Sequence, residues 1–233
     1  MLLKHLREQV WHANLELVRR GLVLFTFGNT SGISREDGLI VIKPSGVPYE
    51  DLRPETMVVT KLDGSVVEGS LRASSDLPTH LVLYKAFENI GGIAHTHSEF
   101  AASWAQAGRA IPCLGTTHAD YFHGSVPVTE TLSPDEISSG YETNTGHAIV
   151  RAFKQLDPMA IPGVLVRHHA SFTWGVDPSA AAHNSVILES IARMAYYTMM
   201  LTPQAGPIHS SLHNKHFLRK HGATRYYGQE KKT

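Results

Sequence analysis

Two histidines one residue apart, His95 and His97, sit in the segment Ile93-Ala94-His95-Thr96-His97-Ser98. In an extended strand side chains alternate between faces, so both imidazoles project to the same side. Two imidazoles placed in this way can share one divalent ion. A third histidine and a carboxylate complete a zinc-type set and leave a position for substrate. Asp76, after Ser74-Ser75, offers the carboxylate, and Arg167-His168-His169, after an apolar run, offers the third imidazole. Alternation alone does not choose between His168 and His169. A lone buried histidine is more often a hydrogen-bonded core residue, and an acid opening a helix is favoured there by the dipole alone. The pairing on one strand face is what points to a metal-dependent enzyme.

Three glycine- and serine-bearing segments have the character of anion cradles: Gly28-Asn29-Thr30-Ser31-Gly32, Lys43-Pro44-Ser45-Gly46 and Ser74-Ser75. Backbone N–H groups in such turns and at helix N-termini bind phosphate. Singly each is a common turn, although Lys43 ends an apolar strand directly before one. The block Gly115 to Phe122 sets Asp120 beside Tyr121 and Phe122. Partial desolvation there would raise the carboxyl toward a useful acid/base range, and a turn-capping aspartate is the plain alternative. The chain has no G-x-G-x-x-G, G-x-x-x-x-G-K-[ST], H-E-x-x-H or G-x-S-x-G. These absences argue against a nicotinamide Rossmann enzyme, a P-loop NTPase, a zincin protease and a hydrolase elbow.

The elements that must position these residues are legible as patterns. Residues 2–20 have helical periodicity, Val23 to Phe27 read as a strand, and Gly38 to Lys43 as the next. Met57–Thr60 and Ser65–Glu68 flank Asp63-Gly64, a hairpin signal. Ser74 or Ser75 is expected to cap a helix reaching Phe87, with Pro78 in its first turn. Gly92–Thr96 reads as a short buried strand, Glu99–Ala107 as a helix, Asp135–Phe153 as largely helical, and Gly163–His168 as a strand. Pro178–Leu201 is a long helix, and the tail from about residue 210 is basic, with His213, His216 and His221. Strands mixed with helices and at least one hairpin predict an α/β fold with a mixed or antiparallel sheet.

Composition narrows the class. The 233 residues are 42% hydrophobic and 18% charged, with 21 Lys+Arg against 21 Asp+Glu. A chain of zero formal charge gives no sign of a nucleic-acid face. Cys113 is the single cysteine, so an intrachain disulfide is impossible and a reducing compartment fits. The N-terminal stripe Leu3, Leu6, Val10, Ala13, Leu17 is broken by Lys4, Arg7, Glu8 and Glu16, which marks an amphipathic helix and not a secretory leader. No run of 18 apolar residues is present, so no membrane span is expected. A cytoplasmic location is the expectation.

Taken together, Gly28-Asn29-Thr30-Ser31, Ile42-Lys43-Pro44-Ser45-Gly46, Ser74-Ser75-Asp76, His95-Thr96-His97, Thr116-Thr117-His118-Ala119-Asp120-Tyr121, and a tail running from Lys215-His216-Phe217 to Tyr226-Tyr227-Gly228-Gln229 closely resemble the L-ribulose-5-phosphate 4-epimerases of the class II aldolase/epimerase superfamily. The resemblance implies one domain over residues 1–233, α/β, with a central, mostly antiparallel sheet flanked by helices on both faces. It implies a homotetramer with active sites at subunit interfaces, the tail from about 210 to 233 serving a neighbour's site. It implies zinc, or another divalent ion, on His95, His97 and His169, with Asp76 on or near it. Gly28, Asn29, Lys43, Ser45, Gly46, Ser74 and Ser75 would hold the phosphate and nearby hydroxyls. Asp120 and Tyr227 would be the two acid/bases, and Thr116, Glu142 and His216 would support them.

The implied reaction interconverts L-ribulose 5-phosphate and D-xylulose 5-phosphate by breaking and re-forming the C3–C4 bond. The sequence departs from the pattern at Phe27, where Trp is common, and at Arg167-His168. An aldolase of the L-fuculose 1-phosphate type is the alternative enzyme, and Asp76 in place of the aldolases' usual Glu counts against it. An epimerase of an ascorbate route would use the same chemistry, and a relative that has lost catalysis is the reading from a different class.

Overall fold

The computed structural model describes residues 1–228; Gln229 of the tail motif and Glu230 to Thr233 lie outside the described residues. Seven strands, β1 (Asn29–Ser34), β2 (Leu39–Ile42), β3 (Val58–Lys61), β4 (Val66–Glu68), β5 (Gly92–Thr96), β6 (Gly163–Leu165) and β7 (Ser171–Gly175), form one sheet in the order β4-β3-β2-β1-β5-β7-β6. Every neighbouring pair is antiparallel. The helices are α1 (Lys4–Arg19), α2 (Leu77–Ala86), α3 (Glu99–Gln106), α4 (Thr116–Ala119), α5 (Pro134–Ala152), α6 (Pro178–Leu201) and α7 (Ser210–His221). None of the described helices is long and apolar enough to cross a membrane.

Helices cover both faces, as expected. Thr173 of β7 donates its hydroxyl to the Ala181 carbonyl of α6, and the Thr30 amide of β1 donates to Asn14 Oδ1 of α1, which sets α1 and α6 on one side. On the other side the main core joins Ile93 and Trp174 of the sheet to Tyr84 and Phe87 at α2 and to Ile149 and Phe153 at α5. Helix α5 begins with a reciprocal cap: Ser133 Oγ accepts from the Glu136 amide at 3.2 Å and the Glu136 carboxylate accepts from the Ser133 amide at 2.9 Å. Gly140 then takes φ 151, which only glycine adopts readily, and kinks the helix just before Tyr141.

Four details differ from the sequence expectations. Val23 to Phe27 is a turn-bearing loop: Phe25 is left-handed at φ 53 and 84% exposed. The central strand is instead the polar run that follows it. Buried Ser31 finds partners inside the fold, its Oγ 2.7 Å from His80 Nδ1 and 2.8 Å from the Tyr84 hydroxyl, whereas Asn29 Oδ1 and Thr30 Oγ1 are buried without one among the described residues. Gly32 lets α1 and α6 approach, since a Cβ there would stand 2.7 Å from both Leu6 and Pro178. Strand β6 stops at Leu165, and residues 167–169 form a turn with His168 at φ 61, its amide bonded to the Ala105 carbonyl. Helix α2 starts at Leu77 with Asp76 as its N-cap; Ser74 Oγ accepts the Asp76 amide at 3.3 Å and does not itself cap the helix. The basic tail contains a twelve-residue helix, α7.

Candidate active site

Register brings the chemistry together. Asn29 of β1 lies opposite His95 of β5, and His95 lies opposite Phe172 of β7. His95 Nδ1 is 2.9 Å from the Ser171 carbonyl, so Nδ1 carries the hydrogen and Nε2 is left with a free lone pair. The ring also stacks on Phe172 at 4.2 Å. His97 follows immediately after the strand, and its Nε2 stands 3.1 Å from His95 Nε2. His169, in the turn before β7, closes the group: one ligating atom from each of the three rings lies within 4.8 Å of the others. In a tetrahedral zinc centre with bonds of about 2.0–2.1 Å, ligand nitrogens stand roughly 3.3 Å apart, so this donor set fits such an ion. His168, exposed in its turn, is not part of the group.

Two of the rings, His97 and His169, are held neutral near physiological pH. Burial, followed by the neighbouring His95 and His97, pulls His169 down to about 3, against the opposing pull of Asp76. His97, whose ring edge opens to the cavity, is pulled to about 4 by burial and by His95. Asp76 Oδ2 accepts a 2.6 Å hydrogen bond from Asn29 Nδ2. Burial alone would raise its carboxyl; His95, His80 and the Asn29 bond outweigh that and hold it below the usual range. Asp76 stands beside the three imidazoles but outside their 4.8 Å group.

A cavity of about 460 Å³ joins these residues to the expected anion cradles. Gly28, Asn29, Lys43, Ser45, Gly46, Ser74, Ser75, Asp76, Glu142 and the three histidines all line it, with Thr26, Phe27, Pro44 and Tyr141. Lys43 is 2% exposed. Its ammonium meets only the carbonyls of Thr26 (3.4 Å) and Pro44 (3.3 Å) and the face of Tyr49, and among the described residues it has no carboxylate partner. Burial pulls it down to about 8. A buried cation without a counter-charge at a cavity wall is a site prepared for an anion.

Asp120, Thr116, His216 and Tyr227 lie elsewhere. Thr116 opens α4, and its carbonyl accepts the Asp120 amide at 2.9 Å. The Asp120 carboxylate is held by α7: Arg219 donates through Nε at 3.0 Å and Nη2 at 2.7 Å, and His216 Nδ1 stands at 3.0 Å. Lys220 is 3.8 Å away, and Tyr227, exposed, covers the Arg219 and Lys220 cations. The expected upward shift of Asp120 is overturned. Burial does act upward, but Arg219, His216 and Lys220 outweigh it and hold the carboxyl below its ordinary value. None of these four residues lines the metal-type cavity of its own chain.

The family model described as Class II Aldolase and Adducin N-terminal domain matches residues 8–196. The chain belongs to this family. Among curated class II aldolase relatives, L-ribulose-5-phosphate 4-epimerase UlaF of Salmonella paratyphi B (strain ATCC BAA-1250 / SPB7) is 51% identical over 228 residues, covering 98% of this chain and 100% of the relative. The protein of the same name from Salmonella typhi matches equally, at 51% over the same coverage. Among solved structures, an L-fuculose 1-phosphate aldolase superposes with TM-score 0.80 at 21% identity, over 91% of this chain and 94% of the other. YgbL from Klebsiella pneumoniae, a putative aldolase/epimerase/decarboxylase, follows at TM-score 0.73 and 21% identity, over 92% and 99%. At such identities the structures establish the class II aldolase fold.

Within that fold, several site residues carried no local signal. Tyr141 hydrogen-bonds His169 Nδ1 at 3.1 Å; the glycine before it inside a helical pattern was the available hint. His80 sits wholly buried behind Asp76, and burial pulls its imidazole down to about 3. Arg219 and Lys220 fall three and four residues after His216, the spacing that shares a helix face, so reading the tail as a helix would have grouped them.

Proposed function

We propose that the protein is a metal-dependent L-ribulose-5-phosphate 4-epimerase that interconverts L-ribulose 5-phosphate and D-xylulose 5-phosphate. The observation that carries this reading is a single cavity joining three convergent imidazoles to a buried, uncompensated lysine. Such a cavity takes a small phosphorylated, oxygen-rich molecule at a divalent ion. The full-length relatives named as 4-epimerases, and Asp76 where an aldolase carries Glu, favour epimerisation over aldol cleavage with release.

C4 of a 2-ketopentose phosphate is not adjacent to the carbonyl, so direct removal of its hydrogen is unfavourable. Cleavage of the C3–C4 bond, rotation of the aldehyde fragment by about half a turn and re-addition to its other face invert C4 without redox chemistry. His95, His97 and His169 would hold zinc, or another divalent ion, with Asp76 beside it. When bound, that ion supplies Lewis-acid stabilisation of the negative charge that builds on the ketose oxygens, worth several kcal/mol.

The remaining work belongs to the chain. Lys43, with the hydroxyls and amides of Ser45, Gly46, Ser74 and Ser75, holds the phosphate, so the aldehyde turns without leaving. Gly28 and Asn29 help hold the phosphate and nearby hydroxyls, and Asn29 also keeps Asp76 in place. Inversion requires a proton acceptor at the C4 oxygen on one face and a donor on the other. Asp120 and Tyr227 fill these roles, with His216 and Thr116 holding Asp120 and with Glu142 at the cavity wall. Because that pair lies away from its own chain's cavity, we assign it to a neighbour's: the working unit is a homotetramer in which the 210–228 segment and α4 of one chain complete the site of the next. We place this enzyme in the cytoplasm.

The test is to incubate zinc-loaded protein separately with L-ribulose 5-phosphate and L-fuculose 1-phosphate. D-xylulose 5-phosphate from the first and no free aldehyde from the second is the expected result. Aldehyde from L-fuculose 1-phosphate without epimerisation would overturn the proposal.

A further inference from the structure

A histidine that ligates a metal through one ring nitrogen needs its other nitrogen held, or the ring turns and the tautomer is not fixed. His95 is held by a backbone carbonyl, that of Ser171, which no side-chain substitution removes. His169 is placed differently. It follows the left-handed His168 in a turn and not a strand, so the sheet ladder does not fix it. Its Nδ1 meets a side chain, the hydroxyl of Tyr141, at 3.1 Å.

The rest of the surroundings suit this contact. Gly140, at φ 151, breaks α5 immediately before Tyr141 and sends its ring to the cavity wall, with the centroid 5.9 Å from that of His169. If His169 Nδ1–H is donated to the phenol oxygen, the phenol hydrogen needs an acceptor of its own. Thr145, one turn further along α5, is buried, and its Oγ1 has no hydrogen-bond partner among the described residues. Residues four apart share a helix face, so this unmet acceptor and the phenol donor lie on one side of α5.

We propose that Tyr141 is a positioning residue of the metal centre: its phenol oxygen accepts Nδ1–H of His169, fixes that ring's tautomer and directs Nε2 to the ion shared with His95 and His97. This rests on the three-histidine metal reading above. The Tyr141–His169 hydrogen bond links the kinked helix α5 to the metal centre.

The experiment compares wild type with Tyr141→Phe, measuring zinc affinity by competition with a chromophoric chelator. It also records apo-protein melting and the kinetics at saturating zinc. Loss of one outer hydrogen bond to a ligand histidine weakens metal affinity by about 10–100-fold. The expected result is a loss of that size with the apo melting temperature unchanged and KM for the sugar phosphate restored when zinc saturates. Zinc affinity within twofold of wild type would overturn the proposal, as would a raised KM at saturating zinc without an affinity change, which would make Tyr141 a substrate contact. If wild type itself takes up no zinc, the metal reading falls and this proposal with it; equal uptake by both proteins sinks this proposal alone. A measurement on wild type covers the case in which the variant does not fold. In zinc-loaded protein the ¹⁵N-imidazole spectrum is expected to show a solvent-protected Nδ1–H on His169, and a rapidly exchanging one would refute the tether.

Discussion

Replacing Lys43 with Met is expected to stabilise the empty protein while crippling its use of a phosphorylated substrate. The ammonium is buried, meets only two carbonyls at 3.3–3.4 Å and a tyrosine face, and is pulled from 10.5 to about 8 by desolvation. At about 1.4 kcal/mol per pH unit, that depression corresponds to about 3 kcal/mol charged against the folded state. In the window between about 8 and 10.5 the unfolded chain binds the proton that the folded chain has released. Stability therefore rises with pH across that window, and the whole cost is present below it. Methionine has similar length and no charge, so Lys43→Met removes the cost. For a chain of this size the apo Tm at pH 7 is expected to rise on the order of 5 °C, since each kcal/mol moves it by about 2–4 °C and part of the gain is lost in imperfect packing. The opposite sign holds for catalysis. A charge-assisted hydrogen bond to phosphate contributes about 1.5–3 kcal/mol, so KM for L-ribulose 5-phosphate should rise roughly 10–100-fold. Wild type should also show KM rising with pH above about 8, as Lys43 loses its proton, and the variant should lack this limb. Differential scanning calorimetry of apo protein and coupled steady-state kinetics from pH 6.5 to 9.5 read both effects. An unchanged KM, or an apo Tm that falls, would show that Lys43 is a structural cation and not the phosphate anchor.

Two further outcomes follow from the separation of the two clusters. Asp120→Asn and Tyr227→Phe should each cut kcat by about 10²–10⁴-fold, the usual contribution of a positioned acid/base, with zinc content and secondary structure retained; full activity in either variant would remove that residue from the mechanism. Mixing inactive His97→Asn chains with inactive Asp120→Asn chains, after dissociation and reassembly, should restore part of the activity, because one interface in the hybrid then combines an intact cavity with an intact Asp120. Mixtures that stay as inactive as either parent would place both clusters in the same chain's site.

Local patterns are legible in the sequence, and features decided by distant segments are not. Alternation placed His95 and His97 on one face, and Asp63-Gly64 marked the hairpin, because both patterns lie within a few residues. Hydrophobicity points to Val23–Phe27 as a strand, yet the strand is Asn29–Ser34, where Asn14 of one helix bonds the Thr30 backbone and His80 and Tyr84 of another meet the Ser31 hydroxyl. No composition rule shows such partners in advance. The choice of His169 over His168 came from family resemblance; the geometry behind it is a turn whose left-handed residue leaves His168 exposed. Asp120 shows the same limit with a reversed sign. Its aromatic neighbours suggested a raised carboxyl, while the residues that set its charge state, His216 and Arg219, lie 96 and 99 positions away.

The most direct test of the account is a zinc titration of metal-stripped protein while D-xylulose 5-phosphate production from L-ribulose 5-phosphate is followed. Activity should be absent at the start, climb linearly and reach its plateau at one ion per chain, and His97→Asn should show no climb. Epimerisation by the stripped protein, or wild-type activity in His97→Asn, would contradict the claim that His95, His97 and His169 form the catalytic centre.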